Sequence, residues 1–198
     1  ILTIGQNQNS PTLKLEYNTL KNVEHFNYLG SIINQTGTDT LEVTNRLNKA
    51  ATFYHQIRSL LWDDRIPKKA KLTMYNTYFS PILTYSLETC TLNKKDQSRI
   101  QAAEMKFIRT SMQKTRRDRI RNIKIREQFG CNRTLHEKIR MARLGWFGHV
   151  KRMEEGRMAK VWLEKEVDGK RKVGRPRKKW IDIIKEDLVL KGKSLQQV

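Results

Sequence analysis

Acidic residues are scarce in the second half of this 198-residue sequence. Residues 106–198 carry 28 Lys/Arg against 11 Asp/Glu, whereas residues 1–105 carry 12 against 9. The formal net charge is +20, and almost all of it sits in the second half. Such a surplus repels itself in a compact state and attracts polyanions. It points to nucleic acid as partner, ahead of an anionic membrane surface. The step in charge predicts a structural first half and a polyanion-contacting second half.

Cysteine is also rare. Cys90 and Cys131 are the only two, which excludes a disulfide framework and suits a reducing compartment. No apolar run approaches the roughly 20 residues that span a bilayer, so no membrane segment is expected. The sequence shows no signal peptide and no initial Met. It opens Ile-Leu-Thr-Ile-Gly as if in mid-strand, and reads as a fragment or a degraded open reading frame. There is no nucleophile elbow, no HExxH and no phosphate loop. Cys131, His136 and His149 lack the close second cysteine that a zinc knuckle or finger needs. Asp63 and Asp64 are adjacent carboxylates of the kind that can hold two metal ions, but at a helix end such a pair also simply faces water. No catalytic residue and no metal ligand is expected in this chain.

What remains is 37% hydrophobic residues, enough for a packed core. Residues 1–33 read as strands, with alternation at Leu13, Leu15 and Tyr17, a turn near Asn18 and Thr19, and a second run through Phe26, Tyr28, Leu29 and Ile32. Asn34 to Gly37 is a turn cluster. The period then changes. Val43, Leu47, Ala50, Tyr54, Ile57 and Leu61 predict a long amphipathic helix over 40–62. Pro67 suits the first turn of a second helix, whose buried face is marked by Leu72, Tyr75 and Phe79. Pro81 should restart the chain, with a short apolar helix over 83–90. A helix over 94–112 buries Ile100, Ala103, Phe107 and Ser111. Another over 134–150 begins with a Thr134-x-x-Glu137 capping box and has Ile139, Leu144, Trp146 and Phe147 on its apolar side. Trp180, Ile183, Ile184 and Leu188 repeat at helical spacing. The expected fold is α+β and mostly α: a short antiparallel β hairpin, a helical bundle, then basic helices.

Of three basic clusters in the second half, two supply the candidate nucleic-acid contacts. Residues 106–126 contain nine Lys/Arg, with Asp118 as the single acid. Beyond Lys106 and Arg109 these are Lys114, Arg116, Arg117, Arg119, Arg121, Lys124 and Arg126. On a helix they would form a stripe able to track phosphates; the bland reading is a solvated helix face. The second cluster is Lys170, Arg171, Lys172, Arg175, Arg177, Lys178 and Lys179. Gly174-Arg175-Pro176 within it resembles an AT-hook, in which an extended arginine enters a narrow minor groove. Val173 stands where that motif has Arg, so phosphate contact is the preferred reading.

Several ordered elements together carry a wider resemblance. Phe26-Asn27-Tyr28-Leu29-Gly30-Ser31 looks like the FxYLGS element that follows the palm in reverse transcriptases of non-LTR (LINE-type) retrotransposons. Similar in order and spacing are Glu42, Arg46 and Ala50, then Leu61-Trp62, Pro67 with Lys71 and Tyr75, Pro81 with Tyr85, and Glu88-Thr89. Further on come Asp118 to Asn122, Arg143 to Val150, and Gly174 to Trp180 with Asp182 and Glu186 to Leu188. The chain thus resembles the C-terminal part of an endonuclease–reverse transcriptase. Where the family usually has Gly and Trp, this sequence has Ser86 and Cys90, in what should be packed helix.

The resemblance implies parts. Residues 1–37 would be the C-terminal edge of the palm, with Phe26, Tyr28, Leu29 and Gly30 as a primer-grip-like element. Residues 38–113 would be a thumb-like bundle, and 114–198 a basic nucleic-acid-binding region. The parent would be an RNA-directed DNA polymerase with Mg²⁺ in a palm that this chain does not include. The chain alone would be inactive, with no cofactor of its own and no small-molecule substrate. Its partners would be RNA template and DNA primer or target. It would act in the nucleus, with a cytoplasmic ribonucleoprotein stage. The rival expectations are a stand-alone nuclear DNA-binding protein derived from such an element and a helical structural protein whose charge only keeps it soluble.

Overall fold

The computed structural model describes residues 1–4, 13–165, 174 and 178–192. Two antiparallel hairpins stand at the N-terminus, β1 (Lys14–Leu15) with β2 (Asn18–Thr19), and β3 (His25–Tyr28) with β4 (Ser31–Asn34). The expected turn near Asn18 lies two residues earlier, at Glu16 and Tyr17, and Asn18–Thr19 is the returning strand. In the second hairpin Tyr28 pairs with Ser31, leaving Leu29 and Gly30 as a two-residue loop with φ of 49° and 82°. Two successive positive φ values give the turn the twist of its strands, and glycine adopts them without strain.

Helix α1 (Thr40–Trp62) has the predicted bounds, and Val43, Ala50, Tyr54 and Leu61 are buried along it. It packs along α4 (Lys94–Ser111), which buries Ile100, Phe107 and Ser111 as the periodicity requires. Between them the chain departs from expectation. α2 (Lys68–Met74), a π-helical turn (Tyr75–Phe79) and α3 (Ser80–Thr84) run without a break, so Pro81 does not restart the chain. The Ser80 amide reaches back to the Tyr75 carbonyl. Widening the helix there accommodates the ring and missing N–H of the following proline. The expected 83–90 helix is absent. α3 ends at Thr84, and Ser86 takes a φ of 65° in the turns that follow. That left-handed conformation favours glycine, the residue the family resemblance expects at this position.

Two further helices, α5 (Asn122–Phe129) and α6 (Leu135–Lys151), close the main core against α4, which the α2–α3 run meets through Tyr75 and Phe79. Four aromatic rings form its centre. Tyr75, Phe79, Phe107 and Phe129 are all buried, with the Phe79 and Phe107 centroids 4.4 Å apart. α6 starts with the predicted capping box of Thr134 and Glu137. Its C-terminal half carries a second, smaller core of Phe147, Ile184 and Leu188, shared with α7 (Met158–Glu164) and α8 (Trp180–Val189). Trp146, expected on the apolar side, is 41% exposed. Asp187 of α8 is buried between Arg143 at 2.7 Å and Arg140 at 3.1 Å, and the Trp180 indole N–H donates to the Glu88 carbonyl at 2.8 Å. The fold is α+β and mostly α, as the periodicities predict.

His136, half-buried in the first turn of α6, titrates below its ordinary 6.5, chiefly because burial disfavours the charged ring. The unfolded chain therefore binds a proton that the folded chain refuses. Stability should fall as pH drops from 6.5 towards the lower folded value, then level off. Urea midpoints across that window should show the decline in the natural chain, and His136→Gln should lack that component.

Candidate nucleic-acid interface

The basic run is not one continuous helix: Lys106 and Arg109 lie on α4, Lys124 and Arg126 on α5 (Asn122–Phe129), and residues 112–121 between them form an ordered loop. α4 stops because Gln113 takes a φ of 53°. The Lys114 N–H then returns to the Arg109 carbonyl at 2.8 Å, and the Gln113 N–H to that of Thr110 at 3.0 Å. These are the two bonds of a Schellman stop, here made without glycine. Arg109 then ties the loop to α4. Its guanidinium donates to the carbonyls of Thr115 (3.0 Å) and Ile120 (2.6 Å) and to Asn122 Oδ1 (2.9 Å). Asp118 closes the loop from within, accepting from the Thr115 N–H at 2.6 Å and its hydroxyl at 2.9 Å. Those bonds hold the Asp118 carboxyl below its usual range. The single acid of the run is thus engaged by backbone and hydroxyl, not by its arginines.

The outcome is a fixed scaffold that leaves cations outward. Arg116, Arg117, Arg119, Arg121 and Lys124 are exposed, and Lys114 is half-buried. Among the described residues none of their side chains makes a hydrogen bond or ion pair. Arg126 is the exception to the predicted set. It is buried, and its Nη2 lies 2.6 Å from Glu104 Oε2, so it serves the core and not a ligand. Glu104 is fully buried and also accepts from the Tyr75 hydroxyl at 2.8 Å and the Leu135 N–H at 3.2 Å.

Beside the loop lies a groove of about 880 Å³ between the end of α1 and α4. Ala102, Ala103 and Met105 line it together with Trp62, and Arg58, Lys106, Arg109, Lys114 and Arg116 bring the cations; none of the described residues lining it is acidic. Arg58 and Trp62 of α1 lie far along the chain from the basic run, so no local pattern links them to it. Their i,i+4 spacing on an exposed helix face was the available signal.

The hairpin residues form a separate surface. Phe26, Tyr28 and Leu29 are 52%, 58% and 75% exposed. The loop beneath them is fixed. The buried Arg46 pairs with Glu42 and donates to the Gly30 carbonyl. The Tyr85 hydroxyl donates to the Leu29 carbonyl at 2.7 Å, and Glu42 accepts from the Ile32 N–H at 2.7 Å. Gly30 has open space around it, so its φ of 82° is what asks for glycine there. Arg46 and Arg58 are twelve residues apart on α1, about 18 Å along its axis. The helix spaces hairpin and groove without merging them.

Of the second basic cluster, Lys170, Arg171, Lys172, Arg175 and Arg177 lie outside the described residues. Lys178 pairs with Glu186, and the Lys179 N–H donates to Asp182 at 2.9 Å where α8 begins. Asp63 is held by Arg65 at 2.7 Å, which lowers its carboxyl to about 2. Among the described residues no three of His, Cys, Asp and Glu gather as a metal set, and no helix is long and apolar enough to cross a membrane.

No protein-family model matches this chain. No solved structure matches it either. It is similar to an uncharacterized transposon-derived protein of Caenorhabditis elegans, with 27% identity over 176 residues. The match covers 85% of this chain, which spans 62% of the length of that relative. The similarity suggests a transposon origin for the chain.

Proposed function

We propose that this chain is the nucleic-acid-gripping C-terminal part of a non-LTR retrotransposon reverse transcriptase. Residues 1–37 would form the palm edge, 38–113 the thumb-like bundle and 114–198 the basic region. The transposon-derived relative and the order of the sequence motifs support the origin. The gripping role rests above all on the loop of residues 114–121. Its backbone is tied by Arg109 and Asp118, while Arg116, Arg117, Arg119 and Arg121 remain exposed. Cations on a pre-formed loop meet phosphates without first ordering the chain that carries them. The Phe26–Gly30 hairpin would sit at the primer end, and the Lys170–Lys179 cluster would add phosphate contacts. RNA template and DNA primer or target are the partners, in the nucleus. Mg²⁺ chemistry belongs to the palm of the parent enzyme, and no catalytic step is assigned to these residues.

The test is the salt dependence of binding to a template–primer duplex. Each phosphate contact contributes a slope of about −0.9 in log K against log salt on duplex DNA. The four exposed loop arginines alone would give roughly −3.6. A slope near zero, or binding no tighter than that of a neutral protein at low salt, would sink the reading.

A further inference from the structure

The groove beside the loop is built differently from the loop itself. A duplex keeps its base faces stacked inside and offers a protein its phosphates and groove edges, so a duplex grip needs cations and has no use for an open apolar floor. This groove instead has an apolar lining of Ala102, Ala103 and Met105, with the indole of Trp62 half exposed beside it. Its volume of about 880 Å³ is ample for a nucleobase. Arg58 and Lys106 stand at it, with no acidic neighbour among the described lining residues. Its walls are fixed. Gln113 donates from Nε2 to the Trp62 carbonyl at 2.9 Å, and Arg109 holds the loop on the other side. Apolar floor, half-exposed indole and a cationic rim with no acid among the described residues are the three parts of a single-strand site, where unpaired bases stack and the backbone is neutralised. An acidic peptide would use the rim and leave the indole and floor without a partner.

We infer that the groove between α1 and α4 binds a single-stranded nucleic-acid segment, with a base stacked on Trp62 and its phosphates on Arg58 and Lys106. This deepens the nucleic-acid reading above and rests on it. The unpaired template or primer strand next to the gripped duplex is its ligand class.

The experiment measures fluorescence anisotropy of a labelled short oligothymidine and of a labelled hairpin duplex with the whole chain. Trp62→Leu keeps apolar bulk at a half-exposed site and removes the π face. It should weaken oligothymidine binding by about 10-fold or more, with duplex affinity unchanged, and Trp62→Phe should restore most of the loss. Unchanged oligothymidine affinity in Trp62→Leu would overturn the inference, as would an equal loss on both probes. Displacement of oligothymidine by polyglutamate as effectively as by unlabelled oligothymidine would also overturn it, in favour of a general polyanion site. Natural protein that binds neither probe removes the underlying reading. Natural protein that binds duplex while Trp62 makes no difference removes only this inference.

Discussion

Replacing Arg116, Arg117, Arg119 and Arg121 together by Gln is expected to lower duplex affinity by roughly a thousand-fold at low salt, at about 1 kcal/mol per lost phosphate contact. The slope of log K against log salt should become shallower by about 3.6, since four contacts contribute about 0.9 each. The fold should be unaffected. All four side chains are exposed, and the loop is held by Arg109, Thr115 and Asp118, which the variant retains. Titrations at several salt concentrations, with thermal melts alongside, supply both readouts. An unchanged slope with an intact fold would show that phosphates are met elsewhere, and the loop would lose its assigned role.

Glu104→Ala is expected to lower stability by about 3–5 kcal/mol, as loss of one member of a buried pair does. In a chain of this size that corresponds to a fall in Tm of roughly 6–20 °C, a large part of the 5–15 kcal/mol typical of a folded domain. The reason is concentration of partners. One fully buried carboxylate accepts from Tyr75, Arg126 and Leu135, and so joins the π turn, α5 and the first turn of α6 to α4. Its removal leaves the Arg126 guanidinium buried, and the Nε of that group already has no partner among the described residues. The double variant Glu104→Leu with Arg126→Met should recover much of the loss, because no charge is then stranded. Denaturant melts of Glu104→Leu, Arg126→Met and the double variant complete the cycle. A Glu104→Ala chain as stable as the natural one would mean the carboxylate is not the joint described.

The two substitutions act on residues that look alike in the sequence. Arg119, Arg121 and Arg126 sit in one basic run, and all three are candidate phosphate ligands by composition. Arg126 turns inward because it lies on α5, one turn before Phe129, where the helix face meets Glu104. Sequence spacing within the run could not show this, as the acid that captures it is 22 residues away. Pro81 misled for a comparable reason. Its local rule is to end a helix, and a π turn upstream let the helix continue. α7 carries no buried residue and no strong apolar period by which a sequence could mark it. The groove was invisible because Arg58 and Trp62 come from one helix and Lys106 from another.

By itself the sequence determined the fold class, the bounds of α1, the buried stripe of α4, the capping box at Thr134 and the concentration of positive charge in the second half. Each of these follows from residues within a few turns of one another, where periodicity and capping act directly. Only the tertiary structure decided which cations face solvent and which are locked in the core. It also decided that residues 112–121, the middle of the basic run, are a pinned loop and that an indole lies beside it. The loop is pinned by neighbours three to thirteen residues away, but the burial of Arg126 and Arg143 against Glu104 and Asp187 and the tie of Trp62 to Gln113 join partners 22 to 51 residues apart, and each buried arginine has its carboxylate beside it.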